Sequence, residues 1–195
     1  GYTASADQQN KGIRLLRITD IQDDDVNWET VPGCDIVEKN AYNYLLENGD
    51  LLIARTGGTI GKSYLVSNIS VKSVFASYLI RIKFKVEFEN KLYWYFSKSK
   101  SYWEQANKLQ TGAAQPHFNG AALKKIEFAF PKSLTEQQRI VAYLDQTFKS
   151  IENAKLKIEK NLQNAKELFE TELRNVFENK GDDWETKKLE IGRAS

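Results

Sequence analysis

No glycine or proline interrupts the chain from Lys132 to Lys180. Within that stretch apolar or small residues recur at Ile140, Leu144, Phe148, Ile151, Ala154, Ile158, Leu162, Ala165, Phe169, Leu173 and Val176. Ten steps cover 36 positions, a mean spacing of 3.6, which is the period of an α-helix. Ser133 stands three residues before Glu136, the capping-box pattern that opens a helix. The spacing predicts one amphipathic helix over residues 133–180, of roughly 45 residues and on the order of 70 Å at 1.5 Å per residue. A compact domain of ~130 residues has a radius of gyration of only ~14 Å, so such a helix overhangs it. Its apolar stripe, with Leu144, Phe148, Ile151, Ile158, Leu162, Phe169 and Val176 on it, requires a partner. That partner is a second helix, from another repeat or another copy of the chain, paired as a coiled coil. A helix returning along its own domain is the alternative.

Residues 1–132 read as a separate α+β domain, mostly strand. Leu15–Thr19, Asp50–Arg55 and Ser63–Val66 are short candidate strands, the second entered through the turn signal Asn48-Gly49. The clearest strand is Ala76–Val86, where Tyr78, Ile80, Ile82, Phe84 and Val86 alternate with Leu79, Arg81, Lys83 and Lys85. Asn90–Leu109 reads as one helix with Leu92, Phe96, Trp103 and Ala106 near one stripe. Residues 111–120 form a polar loop, and Leu123–Phe130 alternates again through Ile126, Phe128 and Phe130. Residues 181–195 are a tail or the start of another repeat.

Positive charge is concentrated in the middle of the chain. Residues 1–50 hold 4 Lys/Arg against 10 Asp/Glu, residues 51–133 hold 13 against 4, and residues 134–180 hold 8 against 8. This gradient, hidden under a net charge of +2, fits a polyanionic partner met by one face. A solvated surface with chance asymmetry is the plainer account of the same counts. One Cys and one His exclude a disulfide framework and a Cys/His zinc site within the chain, and the lone Cys34 suits a reducing cytoplasm. No apolar run is long enough for a membrane span.

The residues offer little to catalysis. His117 is the single His and lies in the polar loop. Thr56-Gly57-Gly58-Thr59-Ile60-Gly61-Lys62-Ser63 ends like a phosphate-binding Gly-Lys-Ser, but the leading Gly of that motif is Thr56 and a strand, not a helix, follows. The segment suits DNA better. Thr56, Gly57, Gly58 and Thr59 can offer backbone N–H groups to phosphates, Lys62 can supply charge, and Arg55 can read guanine O6 and N7 bidentately. The same glycines also fit a tight hairpin needing positive φ at Gly57 or Gly58. In the polar loop, Gln115, His117 and Asn119 carry side chains suited to base edges. Lys98, Lys100 and Lys108 stand on the preceding helix, Lys108 nearest the loop, and can meet phosphates or simply be solvated.

Several segments, in order, resemble the specificity subunits of type I restriction-modification enzymes. They are Gly1-Tyr2-Thr3, Leu15-Leu16-Arg17-Ile18-Thr19-Asp20-Ile21, Gly49 to Gly57, Gln115 with Phe118-Asn119 and Leu123, Phe130-Pro131, and Glu136-Gln137 with Arg139-Ile140-Val141. The resemblance implies a target recognition domain followed by a conserved helical spacer, a unit that full subunits usually carry twice. It implies that two such helices pack antiparallel and set the gap in a bipartite DNA target. It also implies a non-catalytic reader in the cytoplasm, with S-adenosylmethionine, ATP and Mg held by partner modification and restriction subunits and no cofactor here. Trp184 to Leu189 resembles the segment that opens a recognition domain. One unit alone points to a half subunit or a truncated fragment, with two copies pairing as a homodimer. The competing expectation is a coiled-coil adaptor that binds protein and has no DNA specificity. A stand-alone nuclease would need more than Glu185-Thr186-Lys187 in the tail.

Overall fold

The computed structural model describes residues 1–9, 12–110, 118–188 and 192, and the chain divides into two compact units, residues 1–142 and 143–195. The first unit holds five short strands: β1 (Arg14–Leu16), β2 (Leu51–Ala54), β3 (Ser63–Leu65), β4 (Ser73–Phe75) and β5 (Leu79–Ile82). Its helices are α1 (Glu38–Ala41), α2 (Asn90–Phe96), α3 (Lys100–Leu109), α4 (Gly120–Leu123) and the first turns of α5 (Leu134–Glu178).

The architecture grows from β2. Leu51-Leu52-Ile53-Ala54 has no polar residue on either face, which is the pattern of a strand covered on both sides. All four residues are buried, and β2 is the centre of an antiparallel sheet ordered β3-β2-β5. Leu52 and Ala54 join Tyr64, Leu79, Phe75 and Trp28 in one cluster, while Leu51 and Ile53 join Tyr93, Tyr102, Ala106 and Phe118 in another. The first strand, β1, pairs in parallel with β4, Leu15 opposite Val74. Burying the side chains of one cluster is worth roughly 1.5–3 kcal/mol for each large apolar residue.

Four sequence expectations change in the structure. The segment Leu15–Thr19 stops being strand at Leu16, and Ile18–Asp20 forms a turn of 3-10 helix closed by Asp20, whose carboxylate binds the Arg17 backbone and guanidinium. The long strand Ala76–Val86 is reduced to β5, because the Leu79 N–H turns back onto the Ala76 carbonyl at 2.9 Å and the chain leaves the sheet after Ile82. The alternation does not sort these residues into an apolar and a basic face: Leu79 is buried, Tyr78 is 60% exposed, and Arg81 folds over the Phe75 ring onto Asp50 and the Leu45 carbonyl. The single helix Asn90–Leu109 is two helices, because Ser97 ends α2 and the Ser99 hydroxyl caps α3 by accepting from the Tyr102 N–H. Serine competes with the helix backbone for such bonds and so favours termini.

The fourth expectation is Leu123–Phe130. It begins with α4, capped by Asn119, and forms no strand afterwards. Phe128 nevertheless packs against Phe96 and stacks on Phe130, so the alternation places rings without a ladder. In place of a neighbouring strand, the Gln105 carboxamide accepts from the Glu127 N–H at 2.8 Å and donates to the Glu127 carbonyl at 3.0 Å.

The helix expected from the 3.6 period is present as α5, 45 residues long. The Ser133 hydroxyl accepts from the Glu136 N–H, but the Glu136 carboxylate turns to Arg139 instead of completing the box. Gln137 fixes the root of the helix. It is fully buried, accepts from the Glu89 N–H at 2.9 Å and donates to the Pro131 carbonyl at 2.8 Å. In the second unit every described side chain from Phe148 to Lys188 is exposed. After the helix, a turn brings the Trp184 N–H onto the Gly181 carbonyl and its indole edge-to-face onto Phe177. No helix among the described residues is long and apolar enough to cross a membrane.

Candidate nucleic-acid interface

Three separate segments meet at one end of the three-stranded sheet. Arg55 follows β2 directly; its N–H donates to the Tyr78 carbonyl at 3.0 Å and its carbonyl accepts from the Phe118 N–H at 2.8 Å. The β2–β3 connection, the turn into β5 and the residues leading to α4 are therefore tied together through one residue's backbone.

The connection itself is closed by the backbone. The Ala54 N–H donates to Lys62 and the Gly61 N–H returns to Ala54, at 2.9 and 2.8 Å. Between them Gly57–Thr59 makes a turn of 3-10 helix, with Gly57 at φ +77° as the tight-hairpin expectation requires. Gly57 and Gly58 are exposed and open, with nothing within 4 Å of an added Cβ. Gly61 is different. It sits at φ +81°, and a Cβ there would lie 3.2 Å from the Trp103 ring. The buried Tyr102 hydroxyl donates to the Gly61 carbonyl at 2.6 Å. So α3 clamps the base of the connection while its tip faces solvent.

The charges at this end are available. Arg55 is half-buried, and its Nε has no hydrogen-bond partner among the described residues. A covered donor left unpaired costs free energy, which an arriving acceptor recovers. Lys62 and, further along α3, Lys108 are exposed and form no ion pair among the described residues. Lys98 differs, since it pairs with Asp24 and lies over the Trp94 ring, and Lys100 pairs with Glu104. Thr56 and Thr59 flank the turn, half-buried. The Asn119 carboxamide oxygen accepts from the Ala122 N–H at 2.9 Å, so a bidentate adenine contact would compete with the α4 cap for that oxygen. Gln115 and His117 lie outside the described residues.

Tyr78 is the residue that sequence reading missed. Alternation put it on an apolar face with Ile80 and Ile82, whereas its side chain is exposed and its carbonyl accepts from the Arg55 N–H. The break in pattern at Ala76-Ser77, small then polar before an aromatic, was the available signal.

Among the described residues nothing at this end resembles a reaction centre. Among the described residues no three His, Cys, Asp or Glu are grouped to hold a metal. The Cys34 thiol is buried, and burial pushes its pKa up, away from the nucleophilic thiolate. The apolar stripe of α5 is open: Phe148, Ile151, Ile158, Leu162, Phe169 and Val176 are each about half or more exposed, and Leu144 partly so.

The loop is braced by backbone bonds and presents amides, hydroxyls and cations that are unpaired among the described residues, a set suited to contact with a polyanion. Residues 4–164 match the model of the type I restriction modification DNA specificity domain, and the chain belongs to that family. Its part is the recognition of DNA. The fold also matches a chain from a solved structure described as the basis of complex assembly and conformational transition of the type I R-M system. That match has a TM-score of 0.62 at 17% identity, and covers 87% of this chain and 39% of the other. The chain thus spans about two fifths of the length of that relative. No curated protein matches it.

Proposed function

We propose that the chain reads one half of a bipartite duplex DNA target and directs modification and restriction subunits to it. The observation that carries this is the convergence of Arg55–Lys62, Tyr78 and Phe118–Asn119 at one end of the sheet, with Arg55 and Lys62 free of acid partners among the described residues. Lysines hold phosphates and fix register, while Arg55 and the loop side chains read base edges. Two copies pair through the stripe Leu144, Phe148, Ile151, Ile158, Leu162, Phe169 and Val176 as an antiparallel coiled coil. The helix length then sets the gap between half-sites, and the recognition domain and helix are the functional divisions of the chain. The chain works in the cytoplasm and needs no cofactor of its own; S-adenosylmethionine, ATP and Mg act on the partner subunits.

The charge pattern supports the antiparallel sense. Residues 167–185 hold seven acids and two bases, whereas Lys124, Lys125 and Lys132 precede the root of α5. A parallel pair would set acidic end beside acidic end.

The test is co-expression with the cognate modification subunit, followed by mapping of methylated bases across the host genome. An inverted-repeat motif with a fixed internal gap is the expected result. Absence of new methylation, together with no salt-dependent binding to duplex DNA, would overturn the reading and leave a protein-binding coiled-coil adaptor.

A further inference from the structure

A groove of about 460 Å³ lies between β5 and the segment that follows α4. Phe84, Phe128 and Phe130 line it, with Lys83, Lys85 and Lys124. Phe128 stacks on Phe130 at 5.4 Å, Phe84 is linked to both through Phe88, and Phe130 is 39% exposed. The three lysines are exposed and have no ion-pair partner among the described residues. This is not the reading end of the sheet. Lys83 and Lys85 follow Ile82, which pairs with Leu51, while the reading end lies at Ala54 and Leu79. The groove starts at Gly120 and Leu123 of α4 and runs to the root of α5, where Phe130 precedes the first residue, Leu134, by four positions. A duplex backbone would meet the lysines but would have no use for a floor of rings.

The chain carries a segment of matching chemistry. Asp182, Asp183 and Glu185 surround Trp184, which is 48% exposed with Phe177 against one edge. In an antiparallel helix pair the end of one α5 lies beside the start of the other. From Glu178 to Trp184 is six residues, a reach of up to ~20 Å when extended.

We infer that residues 182–185 of one copy dock in this groove of a second copy, with Trp184 on the phenylalanine rings and the three carboxylates facing Lys83, Lys85 and Lys124. The inference rests on the antiparallel pairing proposed above. The swapped segment latches each helix end onto the partner's recognition domain. It fixes where each domain sits along the ruler, which the helical stripe alone would leave to slide by a turn. Aromatic anchors ringed by pairable charge are the usual form of an interface hot spot.

Sedimentation equilibrium of the full chain tests it, using Lys83→Glu with Lys85→Glu, Asp182→Lys with Asp183→Lys, all four together, and Trp184→Ala. Each reversal pair is expected to raise the dimer Kd roughly tenfold, and the four together to return it to within about threefold of the parent. Trp184→Ala is expected to weaken the dimer at high salt as well as low. All these sites are exposed, and circular dichroism checks that each variant folds. If the parent dimerises and the reversals neither weaken nor rescue it, the docking is wrong while the helix pairing stands. If Lys83→Glu with Lys85→Glu lowers duplex affinity and leaves the dimer intact, the groove is a DNA track and the inference falls. A parent that stays monomeric at ~100 μM removes the pairing and the docking together.

Discussion

Gln137 is the residue whose removal the structure prices most directly. It has no exposed surface, and both ends of its carboxamide are used, on the Glu89 N–H and the Pro131 carbonyl. Leucine at this position keeps the volume and forfeits both bonds. Each bond contributes about 1 kcal/mol net, and a buried partner left unsatisfied costs about 1–3 kcal/mol. Gln137→Leu is therefore expected to lose about 2–4 kcal/mol, a large share of the 5–15 kcal/mol typical of a domain. Gln137→Glu separates the two bonds. One oxygen still accepts from Glu89, but the other now faces a carbonyl, so the fold favours the protonated acid and raises its pKa above the unfolded value. A raised carboxyl contributes stability that is complete below the unfolded pKa and is lost as pH rises through the folded pKa. The glutamate variant should thus approach the parent near pH 4 and fall away toward pH 7, with the leucine variant showing no such trend relative to the parent. Urea unfolding followed by tryptophan fluorescence across that range measures both. A leucine variant within 0.5 kcal/mol of the parent, or a glutamate variant indifferent to pH, would refute the reasoning.

The remaining predictions concern the reading end and its support. Lys62→Ala should weaken all duplexes alike and reduce the slope of log K against log salt by about 0.9, whereas Arg55→Ala should cost roughly 1–3 kcal/mol at one base position; competition binding across single-substituted duplexes distinguishes the two. Gly61→Ala should lose about 1–3 kcal/mol, from a left-handed φ and contact with Trp103, while Gly58→Ala, which has open space and no positive φ, should stay within about 0.5 kcal/mol. Thermal unfolding reads both. Burial raises the Tyr93 hydroxyl to about 12 and pushes Tyr102 up as well. Since the fold holds the neutral phenols, stability should be complete below pH 10 and fall as pH rises toward 12, by on the order of 2–3 kcal/mol for Tyr93. Tyr93→Phe should flatten that share of the decline in alkaline denaturation.

The parts legible in the sequence are those set by local pattern over many residues. The α5 helix was legible because ten apolar steps hold one period, and β2 because four apolar residues sit between turn signals. The turn at Gly57 was legible because its backbone demands glycine. What misled was alternation without a ladder. Phe128 and Phe130 alternate because rings on one side enter an aromatic cluster, and the backbone bonds a strand would need go to Gln105 instead. The break between α2 and α3 was written as Ser97-Lys98-Ser99, but apolar spacing spoke louder than two serines. At the interface, the basic loop was visible, whereas Tyr78 was not, because the alternation reads straight through Ala76-Ser77, where Leu79 turns back to Ala76 in a local turn.

The loop at the reading end is held shut by Ala54, Gly61, Lys62 and Phe118 through main-chain groups, with α3 gripping a carbonyl. None of those bonds depends on the side chains at positions 56–59. With Gly57 kept for its positive φ, Thr56, Gly58 and Thr59 can therefore change without disturbing the frame, and under the proposed function a new target preference can arise in a single step from a protein that already folds.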